Sequence, residues 1–331
     1  MEKRKKEIIG VLVAIVLIGA LLTQIELSTL TDTLASVHPV YLTIGFGLYF
    51  STYFLRALRF KVILGNQARY LDILKVLLIH NMVNQVLPAR TGELSYVYLM
   101  EKRGLPINKG IASLALARVF DLIGIAILFL VALLVLQEMN AVFLQLMSVM
   151  AVVVGMVLVS LFCLFVYKNK FIDKVESLTA LLKVDKFDIT KRALEKGEEA
   201  IEDMKVIGSK EVFVYSTLLS VAIWFTSTVL MYMLLSQMDV MLSIWEVCLG
   251  STVIVITTIL PIHSFGGFGT TETVWASIYI ALGVSKDLAI TSGIGIHLIL
   301  FSYLLIIGVA GIVLMKRDGH GYLGEGKPEA A

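Results

Sequence analysis

Six apolar runs punctuate the chain, at residues 8–27, 40–58, 111–136, 142–167, 212–235 and 288–315. Each supplies the roughly 20 apolar residues that a helix needs to cross the hydrocarbon core of a bilayer. Each therefore predicts a transmembrane helix. Two further apolar stretches depart from the pattern. Residues 71–87 carry Lys75, His80, Asn81, Asn84 and Gln85, and residues 245–283 are broken by Leu260-Pro261-Ile262-His263-Ser264-Phe265-Gly266-Gly267-Phe268-Gly269-Thr270-Thr271-Glu272. The first stretch ends in a shorter run of the same order, Leu87-Pro88-Ala89-Arg90-Thr91-Gly92-Glu93. Proline stops a helix and glycine frees the backbone to turn, so both stretches read as helix, break, helix.

Charge fixes how these two stretches are counted. Basic residues favour cytoplasmic loops, so Lys3, Arg4, Lys5 and Lys6 place the N-terminus inside. The loop with Arg56, Arg59, Lys61 and Arg69 then lies inside after two passes. A full crossing by residues 71–87 would push Lys102, Arg103, Lys109 and the charged segment 168–211 outside, whereas a dip and return keeps them all inside. The same parity makes residues 245–283 a hairpin that enters from the outer face, so that the last helix delivers Lys316 and Arg317 to the cytoplasm. The outer loops, residues 28–39, 137–141 and 236–244, then contain no Lys or Arg, and Lys286 is the exception.

The fold class that follows is an all-α integral membrane protein. It has six transmembrane helices and two opposed re-entrant helical hairpins that form an inverted pseudo-repeat, with a cytoplasmic helical connector. Paired interrupted segments in two halves are a recurrent sign of a transport site. Non-helical backbone at that depth needs protein or water around it, so a polar cavity is expected between the hairpins. Residues 1–317 form one membrane domain, and both termini are cytoplasmic in a cell membrane. Within it, 168–211 is the connector, with apolar stripes at Phe171, Val175, Leu178 and Leu182 and at Leu194, Ile201 and Met204 that have helical spacing. The glycine-rich tail 318–331 reads as disordered.

Composition agrees. An apolar fraction of 58%, a charged fraction of 16% and a mean hydropathy of +0.87 exclude a soluble globule. A net charge of +2, scattered through loops, gives no nucleic-acid surface. Cys163 and Cys248 both sit in apolar runs without neighbours at metal-ligand spacing, so they read as core thiols and no metal site is expected. Residues 8–27 lack a small-residue cleavage pattern and read as a retained anchor rather than a signal peptide.

The candidate chemistry lies at the breaks. On a helix ending at Leu87, His80, Asn81 and Asn84 share a face, either as hydrogen-bonding glue between helices or as cavity lining. Arg90 and Glu93 follow the break, and Arg118 and Asp121 lie three apart in Ala117-Arg118-Val119-Phe120-Asp121. Ionisable residues within spans mark a pathway or an ion pair. In one reading Arg90, Arg118, Glu93, Asp121 and Glu272 form a buried network that locks the hairpins. In the other, Arg90 and Arg118 grip a lipid phosphate, which suits the guanidinium fork, and the carboxylates Glu93, Asp121 and Glu272 position them. The second break offers His263, Ser264, Gly267, Gly269 and Thr270 as further lining, with the N-terminal amides of a helix that starts near Thr270 and attracts anionic groups. No strand precedes the glycines, so a nucleotide loop is not indicated. Adjacent His263 and Ser264 cannot face each other on a helix, and no serine-protease motif accompanies them.

At these residues the chain resembles the membrane domain of the lysylphosphatidylglycerol synthase and flippase family. That domain is also found as stand-alone flippase-like proteins and fused to some glycosyltransferases. The matching blocks are Leu87-Pro-Ala-Arg-Thr-Gly-Glu93, Ala117-Arg-Val-Phe-Asp121, and Leu260-Pro followed by Gly267-Phe-Gly-Thr-Thr-Glu272 and Leu282-Gly-Val284. Together they cover nearly the whole chain. Ile262-His263-Ser264-Phe265 stands where the family more usually has serine and proline, and no aminoacyl-transferase or glycosyltransferase domain is recognised. The resemblance implies movement of an anionic, aminoacylated or polyprenyl-linked lipid between leaflets. The expected partners are a membrane lipid, a second copy of the chain, or a separate lipid-modifying transferase or glycosyltransferase. No cofactor is implied. The alternatives are a membrane enzyme acting on a polyprenyl phosphate, with Glu93, Asp121 or Glu272 as general base, and a structural or regulatory membrane protein.

Overall fold

A computed structural model describes residues 27–87, 92–136, 209–258 and 265–317, with isolated helical positions at 148, 152 and 155. The apolar run 8–26, nearly all of 142–167, the connector 168–208, the tail 318–331 and the break residues 88–91 and 259–264 lie outside the described residues. Within them the chain is helical throughout, with no strand. In chain order the helices are α1 (Leu27–Ala35), α2 (Pro39–Leu64), α3 (Tyr70–Val86), α4 (Glu93–Glu101), α5 (Ile107–Val135), α6 (Lys210–Gln237), α7 (Ile244–Thr258), α8 (Thr270–Ala281) and α9 (Lys286–Arg317), and a 3₁₀ turn at Phe265–Gly267 precedes α8.

Among the described residues three helices, α5, α6 and α9, are long and apolar enough to cross a membrane. Their most apolar 18-residue windows are only 44%, 33% and 33% buried within the described residues, so much of their apolar surface is left at least partly uncovered, including Leu130 and Leu134 of α5, Val214 and Leu218 of α6, and Ile306 and Val309 of α9. A water-soluble fold does not leave such continuous apolar surface open, and this is a membrane protein. α2 matches them in length, with 26 residues, but its C-terminal third carries Arg56, Arg59 and Lys61.

Local chemistry sets the helix ends. α2 starts at Pro39, with His38 Nδ1 accepting the Val40 N–H, and α6 starts behind Ser209, whose hydroxyl accepts the Val212 N–H. α7 opens on a reciprocal pair in which Glu246 Oε2 accepts the Ser243 N–H and Ser243 Oγ accepts the Glu246 N–H. α8 is capped from within, because Glu272 Oε2 accepts the Gly269 N–H at 2.7 Å. That cap is reached through a turn in which Gly266, Gly267 and Gly269 all have positive φ, at 63°, 77° and 83°. L side chains rarely occupy this region, so the run of glycines makes the turn sterically accessible.

Two interrupted pairs shape the interior. α3 packs on α4, and α7 packs on α8, so both stretches that broke the spanning pattern fold as helix, break, helix. Gly92 begins the return in the first pair and lies so close to α3 that an added Cβ would collide with Asn84 Cα. α3 also packs along α9 and against the 3₁₀ turn before α8, which sets the end of α3 beside the glycine turn. One apolar core joins α2, α3, α4 and α5, and another joins α2, α6, α7, α8 and α9.

Two local expectations change. Residues 28–39 are not all loop, because α1 uses Leu30 and Leu34, at i and i+4, to pack on Ile290 and Ile294 of α9. Arg56 and Arg59 do not belong to a cytoplasmic loop. The apolar residues Phe60, Ile63 and Leu64 continue the helix past them and are buried, so both arginines are carried on α2.

Candidate functional site

A cavity of about 430 Å³ opens between the two interrupted pairs, within the range of roughly 300–1,000 Å³ common for small-ligand sites. α2 supplies Tyr49, Tyr53 and Arg56 to its wall, α3 supplies Asn81, Asn84 and Gln85, α5 supplies Arg118 and Asp121, and α6 supplies Trp224. The opposite wall is Gly267, Thr271, Trp275 and, from α9, His297.

The densest charge lies on the first wall. Arg59, 1% exposed, donates from Nη1 to Asp121 Oδ1 at 2.6 Å and from Nη2 to Oδ2 at 3.2 Å, and Nη1 also donates to Ser220 Oγ at 2.7 Å. Trp224 Nε1 donates to Asp121 Oδ1 at 3.0 Å. Arg118 bridges outward, from Nη1 to Asp121 Oδ2 at 3.4 Å and from Nη2 to Glu93 Oε1 at 2.7 Å. Asn84 Nδ2 donates to the same Glu93 oxygen at 3.3 Å. One carboxylate thus gathers two guanidiniums and an indole from three helices, and the second carboxylate fixes the start of α4. Such a cluster gives charges buried among apolar helices the partners that make them tolerable.

Arg56 has a different setting. Its guanidinium carbon lies 5.3 Å from the centroid of the Trp224 ring, a cation–π contact, while it lines the cavity without a salt bridge to any described residue. Three other lining residues carry buried polar atoms with no hydrogen-bond partner among the described residues: Asn84 Oδ1, Arg118 Nε and Trp275 Nε1.

The second break forms its own constellation. His297 Nδ1 lies 2.6 Å from Glu272 Oε1, and His297 Nε2 lies 3.1 Å from the Gly266 carbonyl oxygen. Phe268 stacks on the imidazole at 4.3 Å between centroids, with 17° between planes. Gln85 Nε2 reaches across from α3 and donates to the same Gly266 oxygen at 3.3 Å, which ties the two breaks together.

The sequence of residues 8–308 matches the family model described as "Lysylphosphatidylglycerol synthase TM region". The chain belongs to this family. Among curated proteins it is similar to the "Glycosyltransferase AglD" of Haloferax volcanii, at 28% identity over 130 residues. That match covers 38% of this chain and 21% of the other protein, so it concerns only part of each.

Within this lysylphosphatidylglycerol synthase-type fold, the residues singled out by sequence divide. Glu93, Arg118 and Asp121 come together, but Glu272 stands apart from them and pairs with His297. Asn81 and Asn84 line the cavity, whereas His80 is not among its lining residues and holds Ser95 Oγ at 3.0 Å from Nδ1. Gly267 lines the cavity, while Gly269 and Thr270 shape the turn behind it, Thr270 Oγ1 donating to the Gly267 carbonyl at 3.0 Å. Arg90, His263 and Ser264 lie outside the described residues. Sequence reasoning missed the active placement of Arg56, Arg59 and His297. The signals were present: two arginines at helical spacing beside a continuing apolar pattern, and a lone histidine within an apolar run.

Proposed function

We propose that the protein carries a lipid with a phosphate-bearing headgroup between the leaflets of the cell membrane. The headgroup sits in the cavity between the breaks while the acyl or prenyl chains remain in lipid. Arg56 is the observation that carries this reading, a cation held over an indole face in a polar cavity with no carboxylate of its own. Arg56 is then a phosphate contact that the sequence did not single out, with Arg118 as a second donor through its unpaired Nε, while the contact expected of Arg90 lies outside the described residues. Glu93 and Asp121 then act as positioning groups, since each already holds Arg118. The cavity size and the unpaired Asn84 and Trp275 atoms suit a small polar headgroup rather than a whole lipid.

Reconstitution tests this directly. Vesicles containing the purified chain and fluorescent phosphatidylglycerol should expose inner-leaflet probe to an external quencher faster than protein-free vesicles. Equal rates with and without protein, for phosphatidylglycerol, its aminoacylated form and a polyprenyl phosphate alike, would overturn the proposal. The partial match to a glycosyltransferase favours a second reading, a membrane enzyme acting on a polyprenyl phosphate, and such an enzyme would form product in detergent, where no leaflets exist.

The proposed topology is six crossings with the α3/α4 and α7/α8 pairs as re-entrant hairpins from opposite faces. α3, with 17 residues, is about 25 Å long at 1.5 Å per residue, short of the roughly 30 Å core. In a background without native cysteines, Lys286→Cys should be labelled by an impermeant thiol reagent from outside and Lys191→Cys only from the cytoplasmic side. Labelling of both from one face would sink this arrangement.

A further inference from the structure

The contacts of His297 require a proton that an ordinary tautomer does not supply. The Gly266 carbonyl oxygen can only accept, and it already accepts from Gln85, so His297 Nε2, 3.1 Å away, must bear hydrogen. In a neutral imidazole this leaves Nδ1 as a bare lone pair. Yet Nδ1 lies 2.6 Å from a carboxylate oxygen of Glu272, and two lone pairs at that distance repel. The contact is attractive only with one further proton between Nδ1 and Oε1, written either as imidazolium with carboxylate or as imidazole with carboxylic acid. Glu272 is 1% exposed and its other oxygen is occupied by the Gly269 N–H. The imidazole is held by Phe268 on its face and Phe301 at its edge, so neither group can turn away to relieve the repulsion cheaply. Because His297 lines the cavity, the proton can exchange with whatever enters it.

We propose that Glu272 and His297 form a proton-binding site that makes headgroup movement proton-coupled, with one proton travelling alongside each anionic headgroup. This rests on the lipid-transport reading of the same cavity. Loading transfers one proton from cavity water to the contact between Nδ1 and Oε1 and takes the pair from a net charge of −1 to neutral. Release returns that proton to water on the other side, and no other bond forms or breaks. Among the described residues, the charged and titratable groups facing the pair across the cavity are Tyr49, Tyr53 and Arg56 from α2 and Arg118 and Asp121 from α5. α3, α6 and α7 bring no titratable side chain to the cavity wall, and Asp32 of α1 is exposed and does not line the cavity. A phosphate bound to Arg56 offsets that cation, so headgroup and proton each favour the other's binding, which is a reciprocal coupling. The proton also closes the bond from α9 to the start of α8, next to the Gly266 carbonyl that Gln85 holds from α3. Its presence is thereby linked to how the two breaks are tied.

The test uses vesicles of phosphatidylcholine with fluorescent phosphatidylglycerol and a pH-reporting dye in the lumen. The wild-type chain should acidify the lumen as the lipid moves inward, with a rate that changes by up to about tenfold per pH unit for a single proton. Glu272→Gln keeps every bond, its carbonyl accepting from Gly269 and its amide donating to His297 Nδ1, so the fold is preserved without the exchangeable proton. This variant should lose both the pH dependence and at least nine-tenths of the lipid-linked proton flux. Infrared difference spectra between acid and neutral detergent solution provide a readout independent of transport, with a carboxyl or imidazole band that vanishes in Glu272→Gln. That band without any lipid movement would leave the proton site standing and remove the transport reading. Lipid movement in the wild type without proton flux, or unchanged proton flux in Glu272→Gln, would overturn the proton site.

Discussion

Replacing Arg59 by alanine should destabilise the protein by about 3–5 kcal/mol, the range for removing one partner of a buried ion pair. The guanidinium is 1% exposed and binds Asp121 through both Nη atoms. Without it, Asp121 remains buried in a membrane-embedded cluster with only the 3.4 Å contact from Arg118 and the indole of Trp224 as donors. Ser220 Oγ on α6 loses its donor as well, so the damage reaches α2, α5 and α6 together. Arg59→Lys should rescue little, since an ammonium cannot reproduce the two-pronged contact. The double variant Arg59→Met with Asp121→Leu should be more stable than Arg59→Ala alone, because no buried charge is then left unpartnered. Thermal unfolding in detergent measures all three. A midpoint for Arg59→Ala within about 2 °C of the wild type, equivalent to roughly 1 kcal/mol or less for a chain of this size, would show that the pair is not the lock between these helices.

What the sequence conveyed and what it withheld differ by the range of the interaction. The apolar runs behind α5, α6 and α9 are local patterns of the right length, and the structure places helices on them. The glycine turn before α8 is also local, because Gly266, Gly267 and Gly269 set their own backbone at positive φ. The meeting of Arg118 with both Glu93 and Asp121 was half legible, since Asp121 is three residues away on the same helix while Glu93 comes from the start of α4, 25 residues earlier in the chain. The contacts that sort the charges into groups are long-range. Arg59 reaches Asp121 across 62 residues and Ser220 across 161, and no local periodicity encodes either distance. Reading Arg56 and Arg59 as loop residues followed from treating charge as the end of a span. The buried ring of Phe60 and the buried Ile63 and Leu64 show that the helix outlasts its charges. Glu272 was expected among the arginines because its charge suits them. It pairs instead with His297, which lies one helix later and meets it only because α8 and α9 pack side by side.

The same sorting separates a lock from a grip, and Arg56→Gln tests the grip. Arg59 is spent on Asp121, and Arg118 is shared between Asp121 and Glu93, so a phosphate approaching either must compete with a carboxylate already in place. Arg56 makes no salt bridge among the described residues and lies over the Trp224 ring, with Asp121 attracting it only through space, and a cation over an aromatic face keeps its hydrogen-bond donors free. Removing its charge should therefore cost little stability, about 1 kcal/mol for the lost aromatic contact. It should cost headgroup binding about 1.5–3 kcal/mol, the range for a hydrogen bond to a charged group. If that contact is made at the barrier to crossing, phosphatidylglycerol movement in vesicles slows by roughly 10- to 150-fold. Arg56→Lys keeps the charge and should recover part of the rate. The comparison with Arg118→Gln assigns the phosphate. If Arg118→Gln slows transport while Arg56→Gln leaves both rate and thermal midpoint at the wild-type level, the headgroup is held at Arg118, and displacement of Glu93 or Asp121 becomes a required step of loading. If Arg56→Gln is the slow variant and remains folded, the cavity holds its cargo on Arg56, the arginine of its described lining that makes no salt bridge.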